Sequence, residues 1–263
     1  EKMVFPLNDD GKVYCGTCHS AHGVEWGDKT ATVFMRMKNA DSAMCMACHL
    51  ERGTGPEEGN HPVQEKLKEI PHTLAEAGAK FGAGGSVICQ SCHRVHGAPE
   101  KRQLAVKNPN SELCGTCHAD RYARNPAEAG RMGTHPVNIH PGQIKIPQSL
   151  LDKGGKLGEK GTVICQTCHE PHFAGAGPKL LVEPNPQSQL CQSCHVEQRK
   201  VANSKHNMTL VSNSDKNIRG QEVGQAGVCS ACHLPHGGQG PKMWARAVKH
   251  GDDPVADLCL TCH

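Results

Sequence analysis

The amino-acid sequence predicts a mostly irregular chain with short α-helices and little or no sheet, built as four repeated modules around a core its own side chains do not supply. Three observations predict it: the composition, an eightfold Cys-x-x-Cys-His motif, and the pairwise recurrence of that motif. The 263 residues include only four Phe, two Tyr and two Trp, against 29 Gly and 17 Pro. Such a chain buries too little apolar side-chain surface to offset the entropy of ordering it. Another group must fill the core.

The cysteines identify that group. All 16 fall into C-x-x-C pairs, and each pair is followed directly by histidine. The sets are Cys15, Cys18 and His19; Cys45, Cys48 and His49; Cys89, Cys92 and His93; Cys114, Cys117 and His118. They continue with Cys165, Cys168 and His169; Cys191, Cys194 and His195; Cys229, Cys232 and His233; Cys259, Cys262 and His263. With 18 His in the chain, eight such coincidences have a chance on the order of one in a billion, which decides against a disulfide framework. Zinc ribbons also pair C-x-x-C, but zinc gives no reason for the histidine. Two thiols three residues apart on one helical turn face the same side and can form thioethers to the two vinyl groups of haem. The histidine then lies under the iron as its proximal ligand. The expected cofactors are eight covalent haem c groups. Every cysteine is consumed, so thiol catalysis is excluded and no catalytic residue is identified.

The formal charge of +3 omits these groups. Two propionates and one ferric charge per haem bring the oxidised holoprotein to about −5. No Lys/Arg cluster marks a nucleic-acid footprint, and no apolar run reaches the roughly 18 residues of a membrane span. The first residue is Glu1 rather than Met, read as a mature, processed form. Haem is attached to C-x-x-C-H after export, so the expected location is extracellular, with the periplasm as the alternative.

The motifs recur in pairs, which defines four dihaem modules at 1–60, 61–134, 135–205 and 206–263. Each opens alike (GKVYCGTCHSAHG, GSVICQSCHRVHG, GTVICQTCHEPHF, AGVCSACHLPHGG) and closes alike (SAMCMACH, SELCGTCH, SQLCQSCH, VADLCLTCH). Gly/Pro-rich connections separate them, such as Glu51 to Asn60 and Gly154 to Gly161. Gln64 to Phe81 has helical spacing interrupted at Pro71, read as surface packing. Short helices are expected at the haem motifs.

Eight irons with one proximal histidine each need eight further ligands or open sites. Four of the remaining histidines repeat as C-H-x-x-H: His22, His96, His172 and His236. If the motif helix continues through them, they lie on nearly the same face as the proximal histidine. They then cannot reach the far side of their own iron but can ligate a neighbouring haem. His61 and His135, each in His-Pro-Val, and His206 recur once per connection and are the other candidate distal ligands. His72, His140 and His250 do not repeat and read as surface residues, His250 falling where other modules have Asn39, Asn108 or Asn185. The eight Met follow no module period and read as packing against porphyrin. Bis-histidine, low-spin, low-potential haems are expected.

The His-Pro-Val, the G-x-V-x-C-x-x-C-H-x-x-H segment and the trailing L-C-x-x-C-H resemble the doubled-CXXCH multihaem c-type cytochromes, which include periplasmic carriers and extracellular cytochrome filaments, or nanowires, of metal-reducing microbes. The resemblance spans nearly the whole chain. It implies a continuous chain of close-packed haems. It also implies that each C-H-x-x-H histidine ligates the second haem of its own module. The connection histidines His61, His135 and His206 would then serve the haems at Cys89, Cys165 and Cys229. On that scheme the haem at Cys15 has no ligand. Three sources compete: another subunit's His72, His140 or His250 in a head-to-tail homopolymer, one of these folding back within the chain, or an open site.

Three functions follow. The first is an octahaem conduit, the subunit of a filament passing electrons to partner proteins, minerals or electrodes. The second is a monomeric periplasmic shuttle. The third is a multihaem reductase, which fits least: none of the eight motifs is altered, and about 33 residues per haem leave little chain for a substrate cavity.

Overall fold

In a computed structural model the described residues are 5–22, 34–175, 177–211, 214–246, 253–260 and 263. Cys262 and His250 lie outside them. Among the described residues the fold is short helices joined by turns, 3-10 segments and isolated bridges, with no β-strand. The helices are α1 Cys15–Cys18, α2 Ala43–Met46, α3 His72–Glu76, α4 Cys89–Cys92, α5 Glu112–Cys117 and α6 Pro126–Met132. They continue as α7 Gln148–Asp152, α8 Cys165–Cys168, α9 Gln189–Cys194, α10 Met208–Val211, α11 Val223–Ala226 and α12 Pro254–Cys259. Of the helical spacing over Gln64 to Phe81 only α3 forms, opening directly after Pro71, where proline's fixed φ suits a helix start. Lys66 instead bridges Ser86.

Why one turn of helix forms at C-x-x-C is visible in the residue between the cysteines. Thr17, Ser91 and Thr167 each accept the backbone N–H of the residue before the first cysteine, at 3.1, 3.0 and 2.9 Å. The same hydroxyls donate to a carbonyl eleven residues upstream, at Pro6, Lys80 and Lys156, over 2.6, 2.9 and 2.7 Å. A polar group is thereby satisfied on both sides of a buried position. In the fourth module Ala231 takes this place, fully buried. The segment Cys229–Cys232 accordingly makes turns rather than helix, although the His233 N–H still reaches the Cys229 carbonyl at 2.8 Å.

The helices at the second motifs are built differently. Asn39, Asn108 and Asn185 accept the N–H five residues on, each at 2.9 Å. Ser42, Ser111 and Ser188 precede the helices at φ of 64°, 64° and 63°, the left-handed region that ordinary residues avoid. In α12 the cap is Asp253, accepting from Val255 and Ala256 at 2.9 and 3.2 Å. Counted back from Cys259, Asp253 is therefore the equivalent of the three asparagines. The correspondence with His250 was a misalignment, caused by extra residues ahead of the last motif.

Two units emerge. One comprises Glu1–Gly55 with Pro62–Ala105, the other Pro56–His61 with Val106–His263. The first carries the motifs at Cys15, Cys45 and Cys89; the second carries the remaining five. Apolar packing within each is slight. Leu74, Ile88 and Ala105 are buried in the first, and Leu150, Val182 and Leu190 form a small cluster in the second. Side chains do not close the core, as the composition predicted.

Candidate functional site

The first-motif helices α1, α4 and α8 stop at their second cysteine. His19, His93 and His169 are extended, with φ between −114° and −118° and ψ between 140° and 150°. This corrects one expectation: the C-H-x-x-H histidine is not on the motif helix. The chain leaves along an isolated bridge, His19 to Met35, His93 to Leu104, His169 to Leu181 and His233 to Trp244. That bridge fixes the ring. The Nδ1–H of His93 donates to the Arg102 carbonyl at 3.0 Å, that of His169 to Lys179 at 3.0 Å, and that of His233 to Lys242 at 2.7 Å. A carbonyl can only accept, so Nδ1 carries the proton and Nε2 keeps its lone pair, the arrangement that orients a metal-ligating imidazole.

Among the described residues, five pairs of histidine rings face each other. His19 meets His96 at 6.2 Å between ring centres, His61 meets His118 at 6.1 Å, and His135 meets His195 at 6.2 Å. His169 meets His236 at 6.2 Å, and His206 meets His263 at 6.1 Å. Each pair joins one motif histidine to one from the candidate distal set. A metal–imidazole bond of about 2 Å on each side, plus about 1.1 Å from nitrogen to ring centre, gives roughly 6.2 Å across a shared metal. The spacing fits an iron with two axial imidazoles. Among the described residues no group of three or more His, Cys, Asp or Glu could hold a metal alone; two imidazoles and a porphyrin's four nitrogens need no such group.

The pairing corrects the partners the resemblance implied. His96 faces His19 rather than His118, and His236 faces His169 rather than His263. The connection histidines face the second motif, His61 to His118, His135 to His195 and His206 to His263. His19, assigned no partner on the sequence reading, has one. His22 and His172 complete the repeated set outside these five pairs. His72 is exposed, its Nδ1 3.2 Å from the Glu76 carboxylate. His140 is exposed, its Nδ1 accepting the Gly142 N–H at 3.2 Å.

The connection histidines are set by backbone docking. The His61 N–H donates to the Pro171 carbonyl at 2.8 Å, and the His135 N–H to the Pro235 carbonyl at 2.7 Å. Both prolines lie inside C-H-x-P-H, which only the third and fourth modules have. Gly59 and Gly133, two residues ahead, have φ of 77° and 60°, and a Cβ on either would run into a backbone carbonyl, of Ala174 and Gly238 respectively. Thr134 joins the second docking, its hydroxyl 2.7 Å from His236 Nδ1.

Burial favours the neutral, ligand form of four of these rings. It is the first cause lowering His118, His135 and His169, and it holds His236 down to about 4, helped by His169 and Arg121. Arg121 acts in the same direction on His118, His169 and His236; nothing in the sequence singled it out.

The attachment cysteines are neighbours across motifs. Within the first unit Cys18 feels Cys48, and Cys45 hydrogen bonds to Cys89. Within the second, Cys114 bonds to Cys165, Cys168 feels Cys194, and Cys191 bonds to Cys229. As thiols, Cys89 and Cys229 are pulled down to about 6 and Cys165 to about 7 by those sulfur contacts, while burial pushes Cys168 up to about 12. A thioether does not titrate, so what carries over is the proximity. The Cys165 and Cys229 N–H groups are held by Ser111 and Ser188 hydroxyls at 3.1 and 3.0 Å. The two left-handed serines thus tie each second motif to the first motif of the next module.

The family described as the doubled CXXCH motif matches residues 80–123, 157–200 and 222–263, the motif pairs of the second, third and fourth modules. Multiheme cytochrome MtrA of Shewanella baltica (strain OS185) is 26% identical over 171 residues, covering 59% of this chain and 43% of that protein. The chain thus spans less than half the length of this relative. No solved structure matches the chain. Among the described residues no helix is long and apolar enough to cross a membrane.

Proposed function

We propose that the chain is a multihaem c-type cytochrome with doubled CXXCH motifs, an octahaem electron conductor whose irons are held between paired histidines. Bound haem supplies the redox-active iron. The observation that carries the reading is the set of five imidazole pairs at 6.1–6.2 Å, each built from one motif histidine and one distant in sequence. The polypeptide fixes His93, His169 and His233 through Nδ1, favours the neutral form of His118, His135, His169 and His236 by burial, and sets neighbouring attachment points side by side. Ligand identity, burial and hydrogen bonding are the means by which a protein tunes such potentials. With every motif histidine retained and no chain spare for a pocket, the role is electron transfer without substrate chemistry.

The proposed setting is the outside of the cell, as the subunit of a head-to-tail filament that hands electrons to partner proteins, minerals or electrodes. Haem attachment after export and the resemblance to filament-forming cytochromes support it. Negative-stain electron microscopy of the native protein tests the assembly: regular filaments are expected, and dispersed small particles would select the monomeric periplasmic carrier instead. A pyridine haemochrome assay tests the octahaem count, with eight haems per chain expected; a count of six would remove two motifs from the assignment.

A further inference from the structure

The two haem sites of the third module are framed by His169 with His236 and by His195 with His135. Two of these rings are held by backbone. The Nδ1–H of His169 donates to the Lys179 carbonyl and that of His135 to the Pro136 carbonyl, both at 3.0 Å. His236 is held by a side chain instead, the Thr134 hydroxyl at 2.7 Å from its Nδ1. Asn60 precedes His61 and Lys205 precedes His206, so of the three connection histidines only His135 follows a hydroxyl residue.

The proton on that hydroxyl can be placed. Thr134 is 1% exposed, and its Oγ1 also faces the Pro235 carbonyl at 3.2 Å and the Arg121 carbonyl at 3.5 Å. A carbonyl can only accept, and a hydroxyl has one proton to give. Given to a carbonyl, that proton leaves Oγ1 as an acceptor for His236. Nδ1 of His236 then carries the hydrogen, and Nε2 keeps the lone pair an iron needs. The same bond fixes the rotation of the ring, which lies 30° from the plane of His169, whereas His135 and His195 cross at 66°. Docking of the segment does not depend on the hydroxyl. The Pro235 carbonyl also accepts the His135 N–H at 2.7 Å, and the Gly238 N–H donates to the Gly133 carbonyl at 2.8 Å.

From this geometry we infer that Thr134 is the positioning residue of the haem at Cys165: its hydroxyl sets the tautomer and ring plane of His236, and through them the potential of that haem. The next residue, His135, serves the haem at Cys191, so one dipeptide sets the distal ligands of both haems in the module. The inference rests on the reading of the paired rings as axial ligands.

The experiment uses the holoprotein, with the haem count measured first. Near-parallel imidazole planes give ferric low-spin iron a rhombic electron paramagnetic resonance and crossed planes a large-g axial one, which separates the two sites. Thr134→Val keeps the shape of the residue and removes the acceptor. Rhombic intensity equal to one haem should shift, and the potential of that haem should rise, because its ligand becomes less basic. The shifted component should vanish when Cys165→Ala and Cys168→Ala are added, and Thr134→Ser should keep the unaltered spectrum. Should Thr134→Val not mature, Thr134→Ala read against Thr134→Ser, which differ by the hydroxyl alone, decides in the same way. Bis-histidine signals that persist with an unchanged rhombic component, a fall in potential, or a Thr134→Ser spectrum shifted as far as that of Thr134→Val would overturn the positioning role. An unaltered protein without bis-histidine low-spin signals would instead overturn the reading beneath it.

Discussion

Replacing Thr167 by Val keeps the shape of the residue and removes the hydroxyl that builds α8. Thr167 is 2% exposed. Its oxygen accepts the Ile164 N–H at 2.9 Å and donates to the Lys156 carbonyl at 2.7 Å. Both backbone groups lose this partner, and Ile164 is itself 3% exposed. A buried group left unmade costs about 1–3 kcal/mol; because Lys156 is only half-buried, the pair should cost about 2–4 kcal/mol. Covalent cofactors make global unfolding a poor two-state measure, and a local readout is better. Native-state hydrogen exchange of a peptide spanning 164–169, followed by mass spectrometry, should accelerate about 30- to 1000-fold. The matching segment around Ser91 should not change. Unchanged exchange at 164–169 would refute the hydroxyl as the reason a turn of helix forms there, and with it the account of why Ala231 leaves the fourth module without one.

Three further outcomes are expected. His236→Gly should convert the haem at Cys165 to a high-spin form that added imidazole reverses; if the new signal survives Cys165→Ala with Cys168→Ala and vanishes with Cys259→Ala, the pairing is wrong and the resemblance was right. Arg121→Ala removes a positive charge felt by His118, His169 and His236; potentiometry should find the haems at Cys114 and Cys165 shifted to lower potential by roughly tens of millivolts, and a rise would contradict the assignment. For acid, the folded pKa of His236 is about 4 against an ordinary 6.5. A depressed pKa gives stability complete above the unfolded value and lost as pH falls toward the folded one. Low-spin absorbance at this site should therefore persist through pH 6 and fail only near or below 4, iron binding pushing the limit lower. Loss beginning near 6.5 would mean that His236 is not held neutral by its surroundings.

The sequence made the chemistry legible because haem attachment is written locally: two cysteines, one turn, one histidine. The same holds for the fold class, since a chain this poor in aromatic residues cannot make sheets or long helices pay. What stayed hidden was which distant histidine meets which motif. Pairs such as His61 with His118 are fixed by backbone docking onto residues a hundred or more positions away, and a repeat period cannot report that. One signal was nonetheless present: Pro171 and Pro235 distinguish C-H-E-P-H and C-H-L-P-H from C-H-S-A-H and C-H-R-V-H, and it is onto those prolines that His61 and His135 dock. The helical reading of C-H-x-x-H failed for a physical reason as well. The hydroxyl that starts the turn is spent within C-x-x-C, and the bridge to Leu104 or Leu181 pulls the following residues into extended backbone.

The most direct test of the paired-ligand account is an anomalous difference map measured at the iron edge on crystals of the holoprotein. A peak midway between His135 and His195, and one midway between each of the other four ring pairs, is the predicted result. Iron beside His195 with its sixth ligand from any residue other than His135 would contradict it.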